Sequence, residues 1–152
     1  MRGLDLFAGA VLALGLVSVA QARECQGAAT GTRLILAIDG VRSDRGLMTA
    51  TLYGGEKAKY LVRNGALKVW RDPARAPVTT MCIWAPGPGD YAVVIYQDLN
   101  SNLRFDHGML GPEEPYGFSN NPRILFRPPP FEAVRFTAHA GDNTVRIHLH
   151  NP

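Results

Sequence analysis

What this chain lacks is informative. After residue 22 it shows almost no amphipathic helical periodicity, which argues against a helical bundle or an α/β fold. After Ala20 no apolar stretch reaches the ~20 residues needed to cross a bilayer as a helix, so no membrane span is expected. The charge is mixed rather than blocked, with Lys57, Lys59 and Lys68 against Asp39, Asp44 and Asp72 and a net +3. There is thus no basic stripe, and nucleic acid is not expected as a partner. Internal repeats are absent. No nucleophile elbow surrounds Ser101 or Ser119, so the chain is not read as an enzyme. Cysteine is scarce too, with only Cys25 and Cys82, too few for a four-ligand zinc site.

Turning to what is present, Arg2 is followed by an uncharged, largely apolar run from Leu6 to Ala20, 15 residues long. It closes on Ala20-Gln21-Ala22, the small-x-small pattern of a signal-peptide cleavage site. Residues 1–22 are therefore expected to be a signal peptide cleaved near Ala22, and the mature protein to be periplasmic or extracellular. In such an oxidising compartment an even cysteine count predicts a Cys25–Cys82 disulfide. Two buried free thiols are the alternative.

The remaining residues, 23–152, have the length of one domain. Short alternating runs are separated by Gly, Pro, Asn and Asp, the signature of an all-β fold. Strands are expected over Arg33–Ile38, Gly46–Tyr53, Ala66–Trp70, Val78–Trp84, Tyr91–Tyr96, Glu132–Ala138 and Thr144–His150. Lys57–Val62 reads either way and could form a short helical turn. Tyr91–Tyr96 is apolar throughout, as befits a central strand covered on both faces. Gly89-Asp90-Tyr91 resembles the tyrosine corner of immunoglobulin-like domains. The expected architecture is a single two-sheet sandwich of about seven strands, immunoglobulin-like or transthyretin-like, with one long loop. That loop, Gln97 to Pro130, spans 34 residues. Loops of such length in compact domains usually carry function.

Within the loop, Asp98, Asn100, Asn102 and Asp106 place side-chain oxygens at mostly alternate positions. This is the opening of a calcium loop, with the Arg104 carbonyl as a fifth oxygen. Calcium is the candidate cofactor. Leu103 stands where such loops carry Gly for the sharp turn, and Met109 stands where a bidentate Glu would close the site. Glu113 or Glu114 could supply that carboxylate. The competing reading is that these Asp and Asn side chains cap turns through backbone hydrogen bonds. His148 and His150 share one strand face but have no evident third metal ligand.

The runs Gly87-Pro88-Gly89-Asp90-Tyr91-Ala92-Val93, Asp98-Leu99-Asn100-Ser101-Asn102 and Glu114-Pro115-Tyr116-Gly117-Phe118-Ser119-Asn120-Asn121 carry a family likeness. They resemble the uncharacterised exported bacterial proteins grouped as domain of unknown function 2141. The likeness covers about Thr32 to Leu149, and Tyr-Gly-Phe-Ser-Asn is its most distinctive element. The resemblance implies a Gram-negative envelope protein with a β-sandwich fold and carries no assigned activity. The family commonly has His before the Asp-x-Asn-x-Asn stretch and Gly after it, where this chain has Gln97 and Leu103. The expected function is thus an exported binding or interaction module for an envelope protein or ligand, with residues 97–130 as the working surface. The alternatives are a metal-dependent envelope hydrolase using Asp98, Asp106 and His107, and a purely structural envelope protein.

Overall fold

The structure, a computed structural model, describes residues 24–152; the expected signal peptide lies outside the described residues. The described residues form ten strands and one short α-helix; eight of the strands make two packed sheets and the other two a small hairpin. The first sheet holds β1 (Thr32–Asp39), β4 (Val78–Trp84) and β10 (Gly141–His148), in the order β10-β1-β4. β1 lies parallel to β10 and antiparallel to β4. The second sheet runs β3-β2-β5-β8, from β2 (Leu47–Gly54), β3 (Lys68–Pro73), β5 (Gly89–Asp98) and β8 (Tyr116–Phe118). β9 (Phe136–Ala138) pairs with the other end of β5, and β6 (His107–Gly108) and β7 (Gly111–Pro112) form a separate small hairpin.

Alternation explains the packing. Leu34, Leu36 and Ile38 of β1 face inward with Met81, Ile83, Val145 and Ile147 of its neighbours. They meet Met48, Ala50, Leu52, Val93 and Ile95 from the second sheet in one core. A second cluster of Tyr53, Ala92, Phe118, Phe131 and Val134 covers the outer face of that second sheet. β5 therefore lies between two apolar layers, which is why its sequence is apolar at successive positions. Tyr91 closes the predicted corner, its hydroxyl donating to the Gly87 carbonyl at 2.8 Å. Cys25 and Cys82 are disulfide-bonded, so the segment before β1 is tied to β4. Gln26 extends the tie, pairing with Ile83 as a parallel bridge.

Three expectations need correction. Glu132–Ala138 is not one strand. Phe131–Val134 is a helical turn, α1, entered from Pro130 in extended conformation, and only Phe136–Ala138 pairs with β5. Phe136 is accordingly half-buried, packed against the core rather than within it. The third strand lies later than expected, at Lys68–Pro73, because its register is set by Leu47–Leu52 of β2. Finally, residues 97–130 are not one open loop, since they carry β6, β7 and β8. The ambiguous segment contributes only a 3-10 turn at Lys57–Lys59.

The Tyr-Gly-Phe-Ser-Asn-Asn run is the fastener of this architecture. Tyr116–Phe118 pairs with Val94–Tyr96 of β5. Gly117 passes so close to β10 that a Cβ there would stand 2.8 Å from the His148 carbonyl oxygen. Ser119, fully buried, fills the gap on β5 between β8 and β9. Its N–H donates to the Val93 carbonyl at 2.9 Å, and its hydroxyl accepts from the Val93 N–H at 3.0 Å and donates to the Val134 carbonyl at 2.5 Å. The Asn120 amide donates to the Arg135 carbonyl at 2.6 Å. Asn121 bonds the outer edge of β10, donating to the Arg146 carbonyl at 3.1 Å and accepting from the His148 N–H at 2.7 Å. One carboxamide thus does what a residue of a parallel neighbouring strand would do. Tyr116 and His150 exchange two backbone hydrogen bonds and join the two sheets at this side.

Candidate functional site

The segment after β5 starts from a fixed point. Gln97 is buried, and its amide donates to the Ser43 and Arg45 carbonyls at 3.0 and 2.8 Å. Gly46 lies against the Asp98 backbone so closely that a Cβ would meet its carbonyl oxygen at 1.8 Å; with φ at +69° the position is confined to glycine.

From Asp98 the chain curls into a knot of hydrogen bonds. The buried Asp98 carboxylate accepts the Asn102 N–H at 3.1 Å and the Leu103 N–H at 2.7 Å. Asn100 Oδ1 accepts the Asn102 N–H, and Asn102 Oδ1 accepts the Arg104 N–H. These are Asx turns, in which a short polar side chain holds its own backbone two residues on. Two donors drawn onto one carboxylate bring Leu103 into left-handed conformation, φ +65°, the conformation a glycine takes at the sixth place of a calcium loop. Leu103 thus takes that one conformation without the glycine.

The carboxylates hold the knot from outside. Asp106 accepts the Asn100 amide at 2.7 Å and the Asn102 amide at 3.0 and 2.9 Å. Those amides, Asn102 first, hold its carboxyl below the usual 3.8. Glu114 reaches across from the far side of the segment and is buried. It accepts the Leu99 N–H at 2.8 Å and the Asp106 N–H at 3.1 Å. Burial nonetheless raises its pKa above the ordinary 4.5, with Asp106 and Asp98 adding to the rise. The structure brings Asp98, Asn100, Asn102 and Asp106 together through hydrogen bonds. Both Asn amides, however, point their N–H groups at Asp106. A cation held by their oxygens would require both carboxamides to turn over, releasing the Asn102 and Arg104 N–H groups. The Arg104 side chain is exposed. Glu113, the other suggested closing carboxylate, lies exposed beside Gly108.

His107 leaves this knot. Its Nδ1 lies 3.1 Å from the Phe105 carbonyl, and its ring packs edge-on against Phe105 at 4.5 Å. Among the described residues no three His, Cys, Asp or Glu side chains gather into a metal-binding group. His148 points to Asp39, with which it forms a short contact, and His150 stacks near Tyr116.

Beside the knot lies a feature that periodicity did not signal. Phe105 packs against Tyr96 and Tyr116, with ring centroids at 5.3 and 5.7 Å, and Tyr116 packs edge-on against Phe118. Phe105, Tyr116 and Phe118 floor a cleft of about 360 Å³ whose other wall is Ile124–Pro128. Its rim is apolar: Leu110 and Phe126 are fully exposed, and Leu125 is 65% exposed. Met109, next along the hairpin, is fully exposed as well. A larger groove of about 660 Å³ runs beside the disulfide between Arg33, Ile35, Arg71 and Thr80, but no exposed large apolar side chain lines it.

A family model described as an uncharacterized protein conserved in bacteria (DUF2141) matches residues 36–146, most of the chain. No curated protein and no solved structure matches it.

Proposed function

The chain belongs to the DUF2141 family of bacterial proteins, and on that premise we propose that it is an exported binding module. Its working surface is the cleft between Phe105–Phe118 and Ile124–Pro128. One observation carries the reading: Leu110, Leu125 and Phe126 stand in water around an aromatic-floored hollow. Clustered exposed apolar side chains of this kind mark contact surfaces rather than ordinary monomer surface. The partner is an envelope protein that presents an apolar face. Export rests on the N-terminal sequence, and the Cys25–Cys82 bond just downstream supports an oxidising compartment.

The test is site-directed photo-crosslinking in intact cells, with the photoreactive side chain at position 126 and a control at the exposed Arg146 position. A discrete adduct from 126 alone, lost on Leu110→Asp while the melting curve is unchanged, supports the reading. Adducts of equal yield from both positions, or none, would overturn it.

A second reading is calcium binding by Asp98, Asn100, Asn102, Asp106 and the Arg104 carbonyl. It is favoured by the left-handed turn at Leu103 and the closeness of the Asn100, Asn102 and Asp106 side chains. The ion would brace the knot that backs the cleft through Phe105. The hydrolase alternative draws no such support, because the Asp98 and Glu114 carboxylates are occupied by backbone N–H groups and His107 turns toward Phe105.

A further inference from the structure

The strands at the ends of the two sheets differ in what they expose. β10 carries Asp142, Arg146 and His148, and β3 carries Lys68, Arg71, Asp72 and Pro73, the charges and proline that discourage an added strand. β8 is only three residues long. β4, the end strand of its sheet, reads Val-Thr-Thr-Met-Cys-Ile-Trp over seven residues, with no charge and no proline. Three hydrogen bonds fix which way its backbone groups point. The Ala85 N–H donates to the Thr32 carbonyl of β1. On the opposite side the Trp84 N–H donates to the Gln26 carbonyl, and the Cys82 carbonyl accepts the Gln26 N–H. Backbone groups alternate sides along an antiparallel strand, so the N–H and C=O of Val78 and Thr80 and the N–H of Cys82 point away from β1. Among the described residues none of these groups has a hydrogen-bond partner. Open space lies beside them. Thr80 and Cys82 line the groove of about 660 Å³, with Arg33 and Ile35 of β1, Arg71 and Asp72 of β3, and Glu24 around it.

We infer that this side of β4 takes up an extended strand of a partner protein, which widens the β10-β1-β4 sheet by one strand. The backbone itself selects that occupant. Donors and acceptors repeated every second residue match the backbone of another strand and no compact small molecule. Gln26 already makes one such pairing, a single bridge beside Ile83, so the added strand continues a ladder that the chain has begun. The segment Glu24–Gln26, tied down by the disulfide, ends the site at Cys82, which leaves room for about five residues opposite Val78–Cys82. Thr80 and the disulfide are uncharged, so the guest side chains beside them are β-branched or apolar. A second copy fits poorly. With Thr80 opposite its counterpart, Ile83 falls opposite Pro77, and Gln26 of one copy would stand where the other chain enters its strand. The groove shares no lining residue with the aromatic cleft, so the inference stands apart from the reading given above.

The test titrates a Thr-Val-Thr-Val-Thr peptide, with two lysines at each end, into nitrogen-15-labelled, disulfide-bonded protein. In the free protein the Thr80 and Cys82 amides should exchange readily with deuterium. The peptide should move both resonances saturably and slow their exchange. Thr80→Pro removes an N–H that takes no part in the β1 ladder, so the fold should persist by circular dichroism while affinity falls about tenfold. The same peptide N-methylated at every residue should not bind, which tests the backbone pairing in the unsubstituted protein. Thr80 and Cys82 amides that are already protected in the free monomer overturn the inference, since that side of β4 would then be covered. So do resonances that stay fixed at millimolar peptide, or equal binding of the N-methylated peptide. Self-association that Thr80→Pro abolishes overturns it too, by making the occupant a second copy.

Discussion

Removing one oxygen from Ser119 should cost this fold more than removing a buried methyl group. The Ser119 hydroxyl is buried and satisfies two backbone groups, the Val93 N–H at 3.0 Å and the Val134 carbonyl at 2.5 Å. In Ser119→Ala the side chain shrinks little, but both groups lose their partner. An orphaned buried polar group costs about 1–3 kcal/mol, so the pair should cost about 2–6 kcal/mol. For a domain of this length that lowers the melting midpoint by roughly 8–24 °C. Circular dichroism melts and urea titrations of wild type and Ser119→Ala measure it, with the exposed Ser101→Ala as control. An unchanged denaturant m-value would show that the loss lies in stability rather than compactness. A midpoint within ~2 °C of wild type refutes the reasoning, since neither backbone group could then depend on the hydroxyl.

The Cys25–Cys82 bond closes a loop of 57 residues, worth on the order of 4 kcal/mol in the chain-entropy model. Cys82→Ser should lose most of that in a urea melt, and unreduced protein should show no titratable thiol when denatured. For calcium, a dissociation constant of about 10⁻⁴–10⁻³ M is expected from two charged ligands without the turn glycine. Calcium at tenfold excess should then raise the midpoint by roughly 3–8 °C, through about 1.4 kcal/mol of linkage. Asp98→Ala should abolish the shift, whereas Leu103→Gly should raise the midpoint with or without calcium, by relieving about 1–2 kcal/mol of left-handed strain. A shift that survives Asp98→Ala places the ion elsewhere. Carbon-13 carboxyl titration should find Asp106 below 3.8 and Glu114 above 4.5. Asp106, with its folded pKa depressed, stabilises above its unfolded pKa, and that contribution is lost as pH falls through the depressed value. Glu114, with its pKa raised, contributes fully below its unfolded value and loses that contribution as pH rises through the folded one. The reverse order of midpoints would contradict the geometry of the knot.

Strand faces were legible in the sequence because alternation is a local property. Leu34, Leu36 and Ile38, or Val145, Ile147 and Leu149, declare one side without reference to the rest of the chain. The tyrosine corner and the cysteine pair were legible for similar reasons, as a fixed local offset and an even count. The turn at Phe131–Val134 was not, since four residues are too few to separate a period of 3.6 from one of 2. β8 escaped notice because Gly117 interrupts its alternation, and the reason for that glycine, the β10 backbone, is 31 residues away. The same distance disguised Tyr-Gly-Phe-Ser-Asn-Asn, which lies within the long loop expected to be the working surface. Its hydrogen bonds instead run to Val93, Val134, Arg135, Arg146 and His148. Alternation along 98–106 pointed to side chains that lie close together, and the structure joins Asn100 and Asn102 to Asp106. What spacing could not show is that Asp98 and Glu114 are already engaged by backbone N–H groups.

Asn121 has a consequence beyond the stability of one molecule. A strand rim with free N–H and C=O groups is a template on which another chain can grow. On β10 the template is stoppered at Arg146 and His148 by a single side chain. A side chain cannot be extended as a strand can, so the ladder ends there. In a crowded compartment, where many copies meet before and after folding, Asn121→Ala would bare that rim at little cost to the core. Its effect should then be seen in soluble yield and light scattering, with the thermal midpoint almost unmoved.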